Sequence, residues 1–286
     1  MRREVMMIAV LVSLAVFVGA VGWSGQAFLL PAATLFPLLW ALSPTRIAAA
    51  VVAAGYFLAA SRGLPAGVAQ FFSADLWVGL LLWIAAASSF IAVHAVLWTV
   101  RGGWAKPARY LMVLGLTAFP PLGITGWAHP LTAAGILFPG WGWWGLLALT
   151  AVLIGLVTRI GPAIAIALPG LWLWSAASGT HQILPEGWRG VDLEMGASLG
   201  RDQSLQRQRD LVTAVRHVAG TREIVVVLPE STLGFWTPTL EHFWRNELQG
   251  THVTVVAGAA VVDAVGYDNV MVAIDAHGGR VLYRER

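Results

Sequence analysis

The chain has 286 residues, of which 57% are hydrophobic and 12% charged, with a net charge of +3 and a mean hydropathy of +0.70. That composition excludes an ordinary water-soluble domain and predicts an integral membrane protein. There is no cysteine, which excludes disulfides, zinc thiolates and cysteine nucleophiles from these residues, and the only lysine is Lys106.

Charge divides the chain. Residues 1–178 hold eight basic and two acidic residues, Glu4 and Asp75, for a net +6; the remainder holds ten basic and 13 acidic, for a net −3. The basic balance thus belongs to the loops of an apolar half, and direct nucleic-acid binding is not expected. The break predicts a transmembrane domain over 1–178, a linker over 179–188 and a polar domain over 189–286.

In chain order, apolar runs occur at 5–23, 27–43, 47–61, 76–100, 110–127, 143–158 and 162–178. A crossing needs about 20 such residues, so about seven spans are expected, with 27–43 the weakest. Arg2 and Arg3 precede the first run with no small-residue cleavage site after it, which reads as an uncleaved anchor with a cytoplasmic N-terminus. Alternating from there, inside loops hold Arg2, Arg3, Arg46, Arg101, Lys106, Arg109 and Arg159, and outside loops hold Arg62, as the positive-inside rule asks. An odd number of spans delivers the polar domain outside the cytoplasm, which in a bacterium is the periplasm, with membrane lipids as the expected surroundings.

Twelve of the 15 tryptophans precede residue 179, and Trp23, Trp77, Trp98, Trp127, Trp141, Trp143 and Trp144 lie near run ends, as an aromatic belt would place them. The segment 126–145, "GWAHPLTAAGILFPGWGWWG", is too broken by Gly and Pro for a span and fits a loop that dips into the membrane. His94, inside the fourth run, is an ionisable group at membrane depth and hence a functional candidate. The plainer reading is a neutral imidazole bonded to a neighbouring helix.

Beyond the linker the periods change. "RGVDLEM", 189–195, alternates as a half-buried strand; 203–219 is an amphipathic helix that Asp202 or Ser204 can cap; "EIVVVLPE" is an apolar strand stopped by Pro229. A helix near 238–249, a strand over 253–262, and two strands joined by a turn at 277–279 complete an order β-α-β-α-β-β-β. Glu230 then stands past a proline at a strand end, the edge where open α/β sheets place their chemistry. A solvated loop glutamate explains it equally well.

Rival motifs carry less. "GASLG", 196–200, fits the G-x-S-x-G elbow of serine hydrolases, but the strand before it carries Asp192 and Glu194, and too few residues precede it to supply flanking strands. The seven histidines include no pair at ligand spacing with a third donor nearby, so neither a metal nor another cofactor is expected. Arg201, Arg207, Arg209 and Arg216 fit the solvated face of the first polar helix, with phosphate or headgroup contact as the alternative. The Pro-broken runs with His94 leave a transporter or channel as a further class.

Taken together, the seven runs, the exported β-α-β-α-β-β unit, Leu228–Ser231 ("LPES") and "YDNVMVAIDAHGGRVLYRER", 267–286, resemble the apolipoprotein N-acyltransferases. Those enzymes carry a nitrilase-like (αββα) domain of the carbon–nitrogen hydrolase superfamily. Within it, the N-terminal sequence and "VVVLPESTLGFWTP" are most similar to the conjugal transfer membrane proteins of plasmids. The resemblance implies a Glu general base, a Lys in a tyrosine-x-lysine context that holds the oxyanion, and a Cys nucleophile. Glu230 matches the base and Tyr283 the tyrosine, but Glu285 stands at the lysine position, and no cysteine is present.

A nitrilase-like domain also needs roughly 200 residues for its two packed sheets, whereas residues 189–286 supply about half of that. The expectation is therefore a membrane component of conjugal transfer with a partial, non-catalytic nitrilase-like domain, Glu230 being a vestigial base. Other conjugal transfer proteins are its expected partners. The alternative is lipoprotein N-acylation, with the missing Lys and Cys in a longer protein.

Overall fold

The structure, a computed structural model, describes residues 2–72, 74–178, 185–193, 205–219, 224–262 and 266–285. Its internal contacts divide it into two units, Met1–His181 and Gln182–Arg286.

The first unit is helical. Helix α1 (Arg2–Gly22) leads to a 3-10 stretch (Ala27–Leu35) that runs into α2 (Phe36–Leu42); α3 (Arg46–Ala60), α4 (Leu64–Phe72), α5 (Leu76–Leu97) and α6 (Ala105–Thr117) follow. A short 3-10 turn (Pro130–Ala133), α7 (Ala134–Leu137), α8 (Trp143–Leu156) and α9 (Gly161–Ser178) complete it.

Small residues set the closest approach. A Cβ on Gly19 of α1 would lie 2.6 Å from the Tyr56 carbonyl oxygen of α3, and one on Gly55 would lie 3.1 Å from a Val16 methyl. Where the surroundings are apolar, packing of this kind rather than hydrophobic segregation joins helices.

The core of the unit is aromatic. Phe36 stacks on Tyr56 at 4.2 Å, and Phe57, Phe90 and His94 close around them. Outward, large apolar side chains stand exposed along the long helices: Val10 and Phe17 on α1, Leu81 and Ile84 on α5, Ile166 and Leu173 on α9.

The expectation of seven spans is not met. Among the described residues three helices, α1, α5 and α9, are long and apolar enough to cross a membrane, and α3 with α4, bent by 46°, makes a fourth at most. Each shortfall has a local cause. Pro31 lies in the 3-10 stretch, leaving seven residues for α2. The run 110–127 stops being helical at Thr117, ahead of Pro120 and Pro121, whose rings disfavour helix in the residue before them. Helix α8 has 14 residues, about 21 Å against a core of about 30 Å.

Of the tryptophans near run ends, Trp77, Trp141, Trp143 and Trp144 are exposed, whereas Trp98 is buried. In 126–145 the short 3-10 turn and α7 interrupt irregular chain, and Ala128, His129, Pro130 and Leu137 are buried.

Among its described residues the second unit has a mixed sheet and two helices. Strand β1 (Trp188–Gly190), α10 (Leu205–Ala219), β2 (Ile224–Val227), α11 (Pro238–Glu247), β3 (Val253–Val262), β4 (Tyr267–Asp275) and β5 (Gly278–Glu285) follow the expected order. The strands lie side by side in sequence order; β1, β2 and β3 are parallel, and β4 and β5 add antiparallel. Strand β1 ends at Gly190, although the Val191 amide still donates to the Val227 carbonyl at 3.0 Å and Val191 and Leu193 pack on the core; 194–195 of the expected strand lie outside the described residues. The turn falls at 276–277 rather than 277–279, since Asp275 Oδ1 accepts from the His277 and Gly278 amides at 2.7 and 3.1 Å and Asp275 pairs with Gly278.

The two helices cover one sheet face. Leu211 and Val215 of α10 and Trp244 of α11 bury Val226, Val255, Val272 and Ile274. The Trp244 indole donates to Gln208 Oε1 at 2.9 Å, tying the helices together. By the strand period of two, Val227, Val256, Asn269 and Met271 belong to the opposite face, and among the described residues there is one sheet, with no second one packed upon it.

Candidate functional site

Strand β2 ends at Val227, and Pro229, which cannot donate to a ladder, starts a turn. The turn is nonetheless fixed to β3: Leu228 donates to Val256 (2.9 Å), Leu233 to Gly258 (3.2 Å) and Trp236 to Ala260 (2.7 Å), while Ala260 donates back to Gly234 (2.8 Å). Thr232, fully buried, bonds through its hydroxyl to the Pro229 carbonyl. Ser231 has a φ of 58°, a left-handed conformation that costs a non-glycine residue about 1 kcal/mol. The turn lies so close to β3 that a Cβ on Gly258 would be 2.7 Å from the Ser231 nitrogen and 3.2 Å from the Glu230 Cα. Glycine at 258 is what allows the carboxylate-bearing turn to rest there.

Glu230 and Ser231 line a cavity of about 360 Å³ on the face away from the helices, together with Asn269, Met271, Tyr283 and Glu285. Register explains the meeting. Asn269 pairs with Glu285 and Met271 with Tyr283 across the β4–β5 ladder, while Gly258 pairs with Met271 across β3–β4. Residues 283 and 285 share one face, and Arg284 between them turns to the other, where it pairs with Asp268 at 3.3 Å.

Three positions separated in sequence, Glu230, Tyr283 and Glu285, thus converge in one cavity. Its described walls carry two carboxylates, a phenol, a carboxamide and a serine hydroxyl, with no Lys, Arg, His or Cys among them. Such a set can accept protons and hydrogen bonds, but it offers no cation to a developing oxyanion and no thiolate to an acyl carbon. Asn269, Met271 and Gly258 were not among the sequence candidates; the alternation of 267–275 marks the first two as face-mates, but their partners follow only from the hairpin register.

The other candidates lie elsewhere. Lys106 belongs to the first unit, where its ammonium donates to the Ala41 carbonyl at 2.8 Å. His94 is buried, but its imidazole does not bond to a neighbouring helix: its Nδ1 reaches the Phe90 carbonyl of its own helix at 2.8 Å, and Nε2 has no partner. The neighbouring Trp40 indole instead donates to the His94 carbonyl at 3.0 Å. "GASLG", Arg201, Asp202 and Ser204 lie outside the described residues. On α10, Arg216 pairs with Glu247 at 2.8 Å and Arg209 is exposed. No group of three His, Cys, Asp or Glu able to hold a metal occurs among the described residues.

Comparison with known proteins gives the family. Residues 58–286 match the carbon–nitrogen hydrolase family, a span that takes in helices of the first unit as well as the whole sheet. The chain is 60% identical over 286 residues to a probable conjugal transfer protein TraB of Sinorhizobium fredii, covering all of this chain and 74% of that protein. It is 58% identical over 296 aligned residues to the conjugal transfer protein TraB of Agrobacterium fabrum, covering all of this chain and 70% of that protein. An uncharacterized protein outside the virF region of Agrobacterium tumefaciens shares 59% identity over 71 residues, 25% of this chain and 47% of that protein. With the strand-end glutamate, the hairpin tyrosine and four-fifths of its length inside the match, the chain belongs to the carbon–nitrogen hydrolase family.

Proposed function

We propose that the chain is a multi-pass component of the bacterial inner membrane that serves plasmid conjugal transfer, and that its carbon–nitrogen hydrolase-type site does not run thioester acyl transfer within these 286 residues. The observation that carries this is the cavity. Glu285 stands where the resemblance asks for an oxyanion-holding lysine, so a second carboxylate replaces the cation beside Glu230. These 286 residues hold no thiol. Glu230 is then a vestigial base, and the partners are membrane lipids and other conjugal transfer proteins.

Membrane placement is supported by the apolar residues turned outward on α1, α5 and α9 and by the gathering of Lys106 and Arg159 with the ends of α2, α6, α8 and α9 in one cavity. Cations collected at one end of a helical unit fit a cytoplasmic face. Three crossings carry the second unit to the periplasm; four return it to the cytoplasm. A reporter fused after Arg189 reads this directly: alkaline phosphatase activity is expected, and activity of a cytoplasmic reporter would reverse the orientation.

The catalytic question is tested in mating. A plasmid lacking this coding sequence is complemented with the wild-type chain and with Glu230→Gln, and equal transfer is expected. A loss on the order of 10²–10⁴-fold, the usual effect of removing a general base, with unchanged protein level would replace this reading by lipoprotein N-acylation.

A further inference from the structure

We propose that the cavity framed by the ends of α2, α6, α8 and α9 binds the headgroup of an anionic phospholipid. This rests on the membrane placement above. The cavity measures about 740 Å³, within the range of small-molecule sites. Its described walls bring together Lys106 and Arg159, with Thr158 as a hydroxyl, and include no acidic residue.

Lys106 is held rather than free. Its ammonium donates to the Ala41 carbonyl near the end of α2 at 2.8 Å, which leaves two of its three N–H donors for another partner. Partial burial pulls this lysine below its ordinary pKa, a penalty on the charged form that a neighbouring anion removes. Helix α9 begins at Gly161, beside the lining residues Ile160 and Pro162, and adds the positive end of its dipole to the same place.

Capping α2 would account for Lys106 alone, but not for Arg159 or for the apolar walls. Leu38, Leu42, Leu156 and Ile160 line the cavity beside the two cations, and Leu42 and Ile160 are 51% and 63% exposed. A free phosphate has no use for such walls; a phosphodiester with acyl chains fills both parts. Trp104, 87% exposed, lines the same cavity, as an indole at headgroup depth would.

The full-length protein is purified in detergent and titrated with phosphatidylglycerol or phosphatidylcholine, bound lipid being counted by native mass spectrometry. The expected result is preferential retention of phosphatidylglycerol, falling about five-fold in each of Lys106→Gln and Arg159→Gln with phosphatidylcholine unchanged. Lys106→Gln keeps a donor for the Ala41 carbonyl, so the helix end stays capped, and Arg62→Gln serves as an arginine outside the cavity that should have no effect. Retention that ignores headgroup charge, or that survives both substitutions, overturns the proposal. So does displacement of the lipid by an equal concentration of inorganic phosphate, which identifies a free-anion site. Carbonate washing of membranes from the same cells tests the placement separately, because a chain that washes off contradicts the membrane reading whatever lipid it retains.

Discussion

The two units bury their residues by opposite rules. In the sheet unit, alternation sorts the faces: Val255, Val270, Val272 and Ile274 lie against the helices, whereas Met271 and Tyr283 stand on the other side. In the helical unit no such sorting exists, since Leu81 and Ile84 of α5 are as apolar as the buried Phe90 and Val93 yet stand exposed. Hydropathy therefore reports position in one unit and only surroundings in the other. What decides packing in the helical unit is side-chain size, through glycines that admit a neighbour and aromatic rings that interlock.

The contrast breaks most sharply if equal truncations act equally in both. Trp244→Ala removes a fully buried indole and strands Gln208, and should cost the sheet unit about 3–5 kcal/mol. Leu81→Ala, at a site 59% exposed, should leave the protein within about 0.5 kcal/mol of wild type. Pulse proteolysis of the full chain in detergent measures both. A large loss at Leu81 would mean that its face packs against another protein surface.

Glycines sharpen the same point. Gly19→Ala drives a methyl against the Tyr56 carbonyl, 2.6 Å away, and should cost about 1–3 kcal/mol. Gly115→Ala on α6 meets nothing within 4 Å and should be neutral or gain up to about 1 kcal/mol from helix propensity. In the sheet unit Gly258→Ala should cost a similar 1–3 kcal/mol, about as much as other overpacked sites, and should also displace the Glu230 turn. Thermal denaturation ranks the three, and a tolerated Gly258→Ala would show that the turn can lift off β3 without penalty.

How much of this was legible follows from the same difference. Helix and strand order beyond residue 205 could be read because periods of two and 3.6 differ and each face has a distinct environment. Glu230 was visible because Pro229 ends an apolar run. The cavity around it was not, since Asn269 and Met271 meet Glu285 and Tyr283 only through a register that depends on which residues form the turn, and Asp275 sets that. The span count failed for a related reason: run length counts apolar residues but not the point at which Pro31 or Pro120 stops a helix from using them.

The smallest expected effect compares one device in both settings. Thr45 caps α3 by accepting from the Ala48 amide at 3.1 Å, and Thr237 caps α11 by accepting from the Leu240 amide at 3.2 Å. Each satisfies one amide that a helix start leaves unpaired, and losing it costs about 1 kcal/mol in water. The Thr237 bond is exposed, so in Thr237→Ala water can replace the hydroxyl and the loss should stay near the lower end, about 0.5 kcal/mol. The Thr45 bond is partly buried, water reaches it less, and Thr45→Ala should cost more, about 1–2 kcal/mol. Hydrogen exchange at Ala48 and Leu240 reads the two caps one by one. Equal acceleration at both would show that the start of α3 is as open to water as that of α11.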